Sequence, residues 1–194
     1  FGEDIGMAAD FDMAVVERVL NYLSYKGANN NMTFAMNLSG QSIQNEQFFK
    51  TLMAKLELHP NLARRMIFEI TESTTITKLD LVNGFIKHLQ EAGYKICLDD
   101  FGAGSASFQY IQQLEVDYVK IDGQYTRKIL TSGRDQILVK NVSQLCHDLK
   151  IPVIAEQLET EQQINKMVEL GVGLGQGYYY GYPQNNPSYD PDRL

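Results

Sequence analysis

Apolar positions cluster in six short runs: Thr33 to Leu38, Arg65 to Thr71, Tyr94 to Asp99, Asp117 to Ile121, Pro152 to Glu156 and Val172 to Gly177. Runs of this length, bounded by turn residues, predict buried strands. Between most of them the apolar residues return with the helical period. Phe11 to Lys26 carries Met13, Val16, Leu20 and Leu23 on one face, with Gly27 as a stop. Phe48 to Leu58 ends at His59-Pro60, and Asp80 is placed to cap a helix bearing Leu81, Phe85, Ile86 and Leu89 up to Gly93. Asp135 to Leu149 and Thr160 to Leu170 repeat the pattern. Strand and helix therefore alternate, and near-continuous apolar strands predict a parallel sheet covered by helices. That is an α/β fold, doubly wound or barrel. No linker or low-complexity run interrupts residues 1–182, whereas 183–194, rich in Pro, Asn and Asp, read as a tail leaving the domain.

The chain has 194 residues, 44% of them apolar and 21% charged, enough for one domain with a real core and unlike a disordered chain. No apolar run nears the roughly 18 residues that span a bilayer, so membrane insertion of this piece is not expected. Cys97 and Cys146 stand singly in apolar surroundings, as reduced core thiols do, which points to the cytoplasm. With 17 basic and 24 acidic residues the net charge is -7, which argues against binding long nucleic acid. A small anionic substrate would need metal ions or a few placed cations to meet it.

Candidate chemistry lies at the strand ends, where nearly every run closes on an acid, an amide or a lysine: Asn37, Glu69, Asp99 with Asp100, Lys120, Glu156 and Gln176. In a parallel barrel all strand C-termini open on one face, so such side chains converge. Carboxylates with an amide oxygen form a hard-oxygen set suited to Mg²⁺ or Mn²⁺, and without clustered His or Cys zinc is disfavoured. Each residue also has a plainer reading. Asn37 could stabilise a turn, Glu69 and Glu72 could form structural ion pairs, Asp99-Asp100 could be a turn with a cap, and Lys120 could pair with Asp122. A Schiff-base lysine at Lys120 fits poorly, because neighbouring acids do not make the apolar pocket it needs.

The blocks Asn37-Leu-Ser, Phe68-Glu-Ile-Thr-Glu-Ser, Leu98-Asp-Asp-Phe-Gly-Ala-Gly, Val119-Lys-Ile-Asp, Ile154-Ala-Glu-Gln-Leu-Glu-Thr and Gly175-Gln-Gly-Tyr follow one another in an order and spacing that resemble the bacterial EAL domain. That resemblance covers nearly the whole chain. It implies a modified TIM-type (β/α) barrel and metal-dependent hydrolysis of cyclic di-GMP to linear pGpG, or, in members that only sense the nucleotide, a receptor. It further implies Asn37, Glu69 and Asp99 as ligands of a first metal and Asp100 of a second, in a two-metal site for Mg²⁺ or Mn²⁺. Lys120 would orient the attacking water, Glu156 would face the metals, and Glu72 would fix the loop Phe101 to Phe108, which the family also uses in dimerisation. Gln176, Asp122 and Glu159 would lie on the substrate side. Two departures are visible. The family's namesake Glu-Ala-Leu segment, with a metal-ligating Glu and a phosphate-binding Arg, is expected upstream of Asn37 and is not in this sequence, so N-terminal strand(s) are expected outside the chain given. Gln157-Leu158 also stands where Gly-Val is common.

Overall fold

The structure is a computed structural model that describes residues 7–25, 32–71, 79–102 and 107–184. Helix α1 (Ala8–Tyr25) precedes strand β1 (Phe34–Leu38), the short α2 (Gly40–Ile43) and α3 (Glu46–Glu57). A 3-10 segment (Pro60–Arg65) leads into β2 (Met66–Thr71), followed by α4 (Leu79–Glu91), β3 (Lys95–Phe101) and α5 (Ser107–Gln113). Then come β4 (Tyr118–Ile121), α6 (Gly123–Lys128), α7 (Gly133–Asp148), β5 (Val153–Ala155), α8 (Glu161–Glu169) and β6 (Leu174–Gly175). All six expected strands are present, in one sheet whose order is the chain order, and the pairs β1–β2, β4–β5 and β5–β6 run parallel. A doubly wound sheet reverses its order at a switch point. Consecutive order without reversal is that of the barrel type. By internal contacts the chain divides into two compact units, Phe1–Leu98 with Ala106–Val116, and Asp99–Ser105 with Asp117–Leu194.

In the first unit β1 and β2 pair in register from Phe34↔Met66 to Leu38↔Ile70. Met66, Phe68 and Ile70 are fully buried, as are Leu52 of α3 and Val82 and Leu89 of α4. Ring contacts tie the layers: Tyr22 with Phe34, Phe49 with Phe85 and His88, Phe68 with Tyr94. Asn45 caps α3, its side chain accepting from the backbone N of Gln47 and Phe48, so this helix starts two residues before the expected Phe48. The expected cap at Asp80 is corrected, for α4 begins at Leu79 and Asp80 lies inside its first turn, where an acid favours the helix dipole instead.

The apolar face of α1 also differs from its sequence reading. The buried positions are Asp12, Val16, Leu20 and Leu23, with Asp12 rather than Met13 completing the stripe. A buried acid needs donors, and Asp12 has them. Its Oδ2 accepts from the backbone N of Ser39 at 2.8 Å and from Ser42 Oγ at 2.6 Å. Ser39 in turn caps α2. The turn that follows Asn37 is thus held by a carboxylate 27 residues upstream in sequence of Ser39.

In the second unit β4, β5 and β6 are joined by α6–α7 and α8, with Val119, Ile121, Ala155, Val139 and Cys146 in the core. Ser132 caps α7, and Thr160 with Gln163 forms a capping box on α8. Both cysteines are free and buried, as expected, and burial pushes the Cys146 thiol up to about 11. No helix among the described residues is long and apolar enough to cross a membrane.

Replacing Asp12 with Ala would leave the Ser39 N–H without its acceptor and the buried Ser42 hydroxyl with Ser39 Oγ at 2.9 Å in place of a carboxylate. The expected cost is about 2 kcal/mol of unfolding free energy, and Asp12→Asn, which keeps one acceptor oxygen, should lose less. Urea unfolding of the three proteins checks both.

Candidate metal centre

Successive residues of a strand point to opposite faces, so two adjacent aspartates cannot both enter one site from a regular strand. At the end of β3 the backbone of Asp100 turns left-handed, with φ 55°. Asp is among the residues that tolerate this conformation. Asp100 N donates to Asp99 Oδ1 at 3.0 Å, and carboxylate oxygens of Asp99, Asp100 and Glu156 all lie within 4.8 Å of one another. Glu156 joins them from the residue just after β5, its N–H reaching Ile121 O at 3.4 Å.

Lys120, in the middle of the parallel ladder opposite Ile154, extends its ammonium between these acids. Nζ stands 3.0 Å from Asp99 Oδ1 and 2.8 Å from Glu156 Oε1, and all three side chains are almost wholly buried. Gln176 Nε2 donates to the same Glu156 oxygen at 2.8 Å. Burial raises the Glu156 carboxyl above its ordinary value. The Lys120 hydrogen bond and charge pull it down, and Asp99 and Asp100 push it up again.

Asp99 and Glu156 share the single ammonium of Lys120, so among the described residues this pair of carboxylates exceeds its counter-charge by one. Such an excess in a poorly solvated place is costly unless a cation offsets it. The donor set is all hard oxygen, which fits Mg²⁺, Mn²⁺ or Ca²⁺ and not zinc.

The remaining expected site residues fall as follows. Asn37 and Glu69 lie in the first unit and face each other in register within β1 and β2 rather than at the strand ends, Glu69 buried and Asn37 exposed. Glu72 lies outside the described residues, as do 103–106 of the loop after the Asp pair. The alternative pairing of Lys120 with Asp122 is corrected: Asp122 turns away to cap α6, its Oδ1 accepting from Gln124 N at 2.6 Å, while Asp99 and Glu156 take the ammonium. Glu159 is exposed and, with Gln157, Gln176, Tyr178 and Tyr182, lines a cavity of about 660 Å³.

Gln176 reaches Glu156 because Gly177 lets two backbones close up: a Cβ there would overlap Leu158 N and O. Leu158 N donates to Gln176 O at 3.0 Å and Tyr179 N to Leu158 O at 2.9 Å. Sequence reasoning missed Gln157 and the tyrosines as wall residues. The run Gly177-Tyr-Tyr-Tyr-Gly-Tyr was the available signal, since four aromatics crowded beside a strand-end polar residue exceed what a small core takes in.

Residues 1–183 match the family model described as "EAL domain". The chain is 34% identical over 185 residues to the cyclic di-GMP phosphodiesterase PdeF of Escherichia coli (strain K12), covering 93% of this chain and 24% of that protein. It is 30% identical over 179 residues to the cyclic di-GMP phosphodiesterase PdeA of Borreliella burgdorferi, covering 92% of this chain and 27% of that protein. The chain thus spans about a quarter of the length of these curated relatives. Among solved structures it is similar to the manganese/cy-diGMP complex of Klebsiella pneumoniae BlrP1, with a TM-score of 0.80 and 28% identity over 90% of this chain and 45% of that one. A calcium/cy-diGMP complex of BlrP1 gives a TM-score of 0.77 over 92% of this chain and 44% of that one.

Removing the Lys120 charge from this cluster should cost far more than losing an exposed pair would. Lys120→Met is expected to destabilise the chain by about 3 kcal/mol in chelator. Added Mn²⁺ should recover a larger share of stability in the variant than in the parent, because it replaces the missing positive charge. Thermal unfolding with and without Mn²⁺ checks both statements.

Proposed function

The chain belongs to the EAL domain family, and we propose that it hydrolyses cyclic di-GMP to linear pGpG with Mg²⁺ or Mn²⁺. The observation that carries this reading is the group Asp99, Asp100 and Glu156 around the buried Lys120, with Gln176 behind Glu156. Phosphodiester hydrolysis needs an activated water and a counter-charge for the phosphoryl oxygens. A divalent cation, when bound, supplies both. In this reading Asp99, Asp100 and Glu156 hold the metals together with Asn37 and Glu69. Glu72 fixes the loop that follows the Asp pair.

Lys120 serves two ends. Its ammonium holds the Asp99 and Glu156 carboxylates in place. Its positive charge also lies where the water attacks phosphorus, orienting that water and stabilising the negative charge that grows on attack. Gln176 fixes Glu156 by its hydrogen bond and leaves the second carboxylate oxygen for the cation. The 660 Å³ cavity bordered by Gln176 and Glu159 is large enough for a substantial part of a dinucleotide. Asp122 contributes to this side by capping α6 beside it. We place the domain in the cytoplasm, with pairing of two copies through the loop after Asp100.

The test is turnover of cyclic di-GMP by the protein, with Mn²⁺ and with Ca²⁺. Hydrolysis with Mn²⁺ is expected, and Asp99→Ala should lower kcat by at least about 100-fold while the folded state persists. Undiminished hydrolysis by folded Asp99→Ala overturns the metal assignment. Binding of cyclic di-GMP without turnover by the parent would make the domain a receptor instead.

A further inference from the structure

Gln157 follows directly on Glu156 and holds φ 53°, a left-handed conformation that an unbranched L side chain rarely adopts and that glycine takes without cost. A strained residue beside a candidate site persists only where its surroundings hold it. Two features hold Gln157. Its Oε1 accepts a hydrogen bond from Arg127 Nη1 on α6. Its carboxamide also lies over Gly123 at the start of α6, where any Cβ would overlap it. The same side chain forms part of the cavity wall with Glu159, Gln176, Tyr178 and Tyr182.

The electrostatics of this arrangement have a direction. A guanidinium donating to an amide oxygen polarises the amide and strengthens its N–H groups as donors. The Gln157 Nε2 group makes no hydrogen bond among the described residues. In a chain of net charge -7 whose neighbouring cluster is anionic, a polarised neutral donor meets an anionic ligand without adding to the repulsion. We propose that Gln157, backed by Arg127, is a substrate-positioning residue that donates from Nε2 to a phosphate oxygen of the dinucleotide in the cavity. The ligand class rests on the function proposed above. The role of Gln157 does not follow from it, since a glycine at this position would leave the acid cluster intact.

The experiment sets stability against affinity. Gln157→Gly relieves the backbone strain and removes the donor. Gln157→Glu keeps the shape and the Arg127 partner, now as an ion pair, but turns the donor face into an anion. Both variants should keep or raise the parent's Tm and leave Mn²⁺ affinity unchanged. KM for cyclic di-GMP, and its Kd in Ca²⁺, should rise about tenfold for the glycine variant and further for the glutamate, with kcat changed much less. Arg127→Met, which removes the polarising charge, should give a smaller rise in KM. A purely structural role predicts the opposite coupling, with affinity falling only where Tm falls. Unchanged KM and Kd in both Gln157 variants overturn the proposal while leaving the phosphodiesterase reading in place. Loss of Mn²⁺ affinity with substrate affinity would also overturn it, since Gln157 would then act through Glu156. A parent protein that neither binds nor hydrolyses cyclic di-GMP removes the function and this assignment together.

Discussion

Everything at the candidate centre depends on how buried negative charge is balanced. Asp99, Asp100 and Glu156 bring three carboxylates within 4.8 Å, and Lys120 returns one positive charge at 2.8 and 3.0 Å. A lysine so buried among two carboxylates is itself costly to desolvate, so neither sign is stable there without the other. Asp99 and Glu156 together outweigh the ammonium they share, and a setting of this kind is one that a hard divalent cation offsets. The Glu156 carboxyl is raised above its ordinary value. Burial contributes most to it, Lys120 opposes it, and the two aspartates add to it.

The sheet supplies the frame for this balance at modest cost. Parallel strands in chain order bring their C-terminal residues to the same end, so Lys120, Glu156 and Gln176 converge without any long loop. What the frame does not supply is the aim of adjacent residues. Asp100 and Gln157 each stand one residue beyond a buried acid, at φ 55° and 53°, and each bends the chain where a regular strand would carry its side chain to the wrong face. Backbone strain and charge clustering coincide at these two places, whereas the third left-handed non-glycine residue, Lys150 at φ 61°, follows the end of α7. Strain of this kind persists at sites whose surroundings over-determine it.

This division marks what could be read from the amino-acid order. The six apolar runs announced the strands because a strand buried on both faces has nowhere to put a polar residue until it ends. For the same reason Glu69 and Lys120 stood out inside apolar runs, and both prove buried. The limits of the runs were less legible. Val172 to Gly177 shrinks to Leu174–Gly175, because the pairing beyond Gly175 is made by Gln176 and Tyr179 across Leu158 outside any regular ladder. The short helices α2, α5 and α6 were also missed, for four to seven residues carry too few helical periods to register. Asp12 and Gln157 were illegible for a different reason. Their partners lie 27 and 30 residues away, at Ser39 and Arg127, and no local pattern reports a contact made by the fold.

Those two residues act on the site in complementary ways. Asp12 is an acid on an apolar helix face, tolerable because two donors from the turn after Asn37 satisfy it. Gln157 is a long side chain at a position suited to glycine, tolerable because Arg127 and the open space over Gly123 receive it. Each breaks a local rule, and each is compensated by a partner distant in sequence, Ser39 in one case and Arg127 in the other. Local rules fail most readily where a chain must hold functional groups rather than merely fill space. By that criterion the strained glutamine beside Glu156 belongs with the substrate-handling part of the molecule. A residue serving only the core would have been better placed as glycine, which takes the same backbone turn without a side chain that must be held.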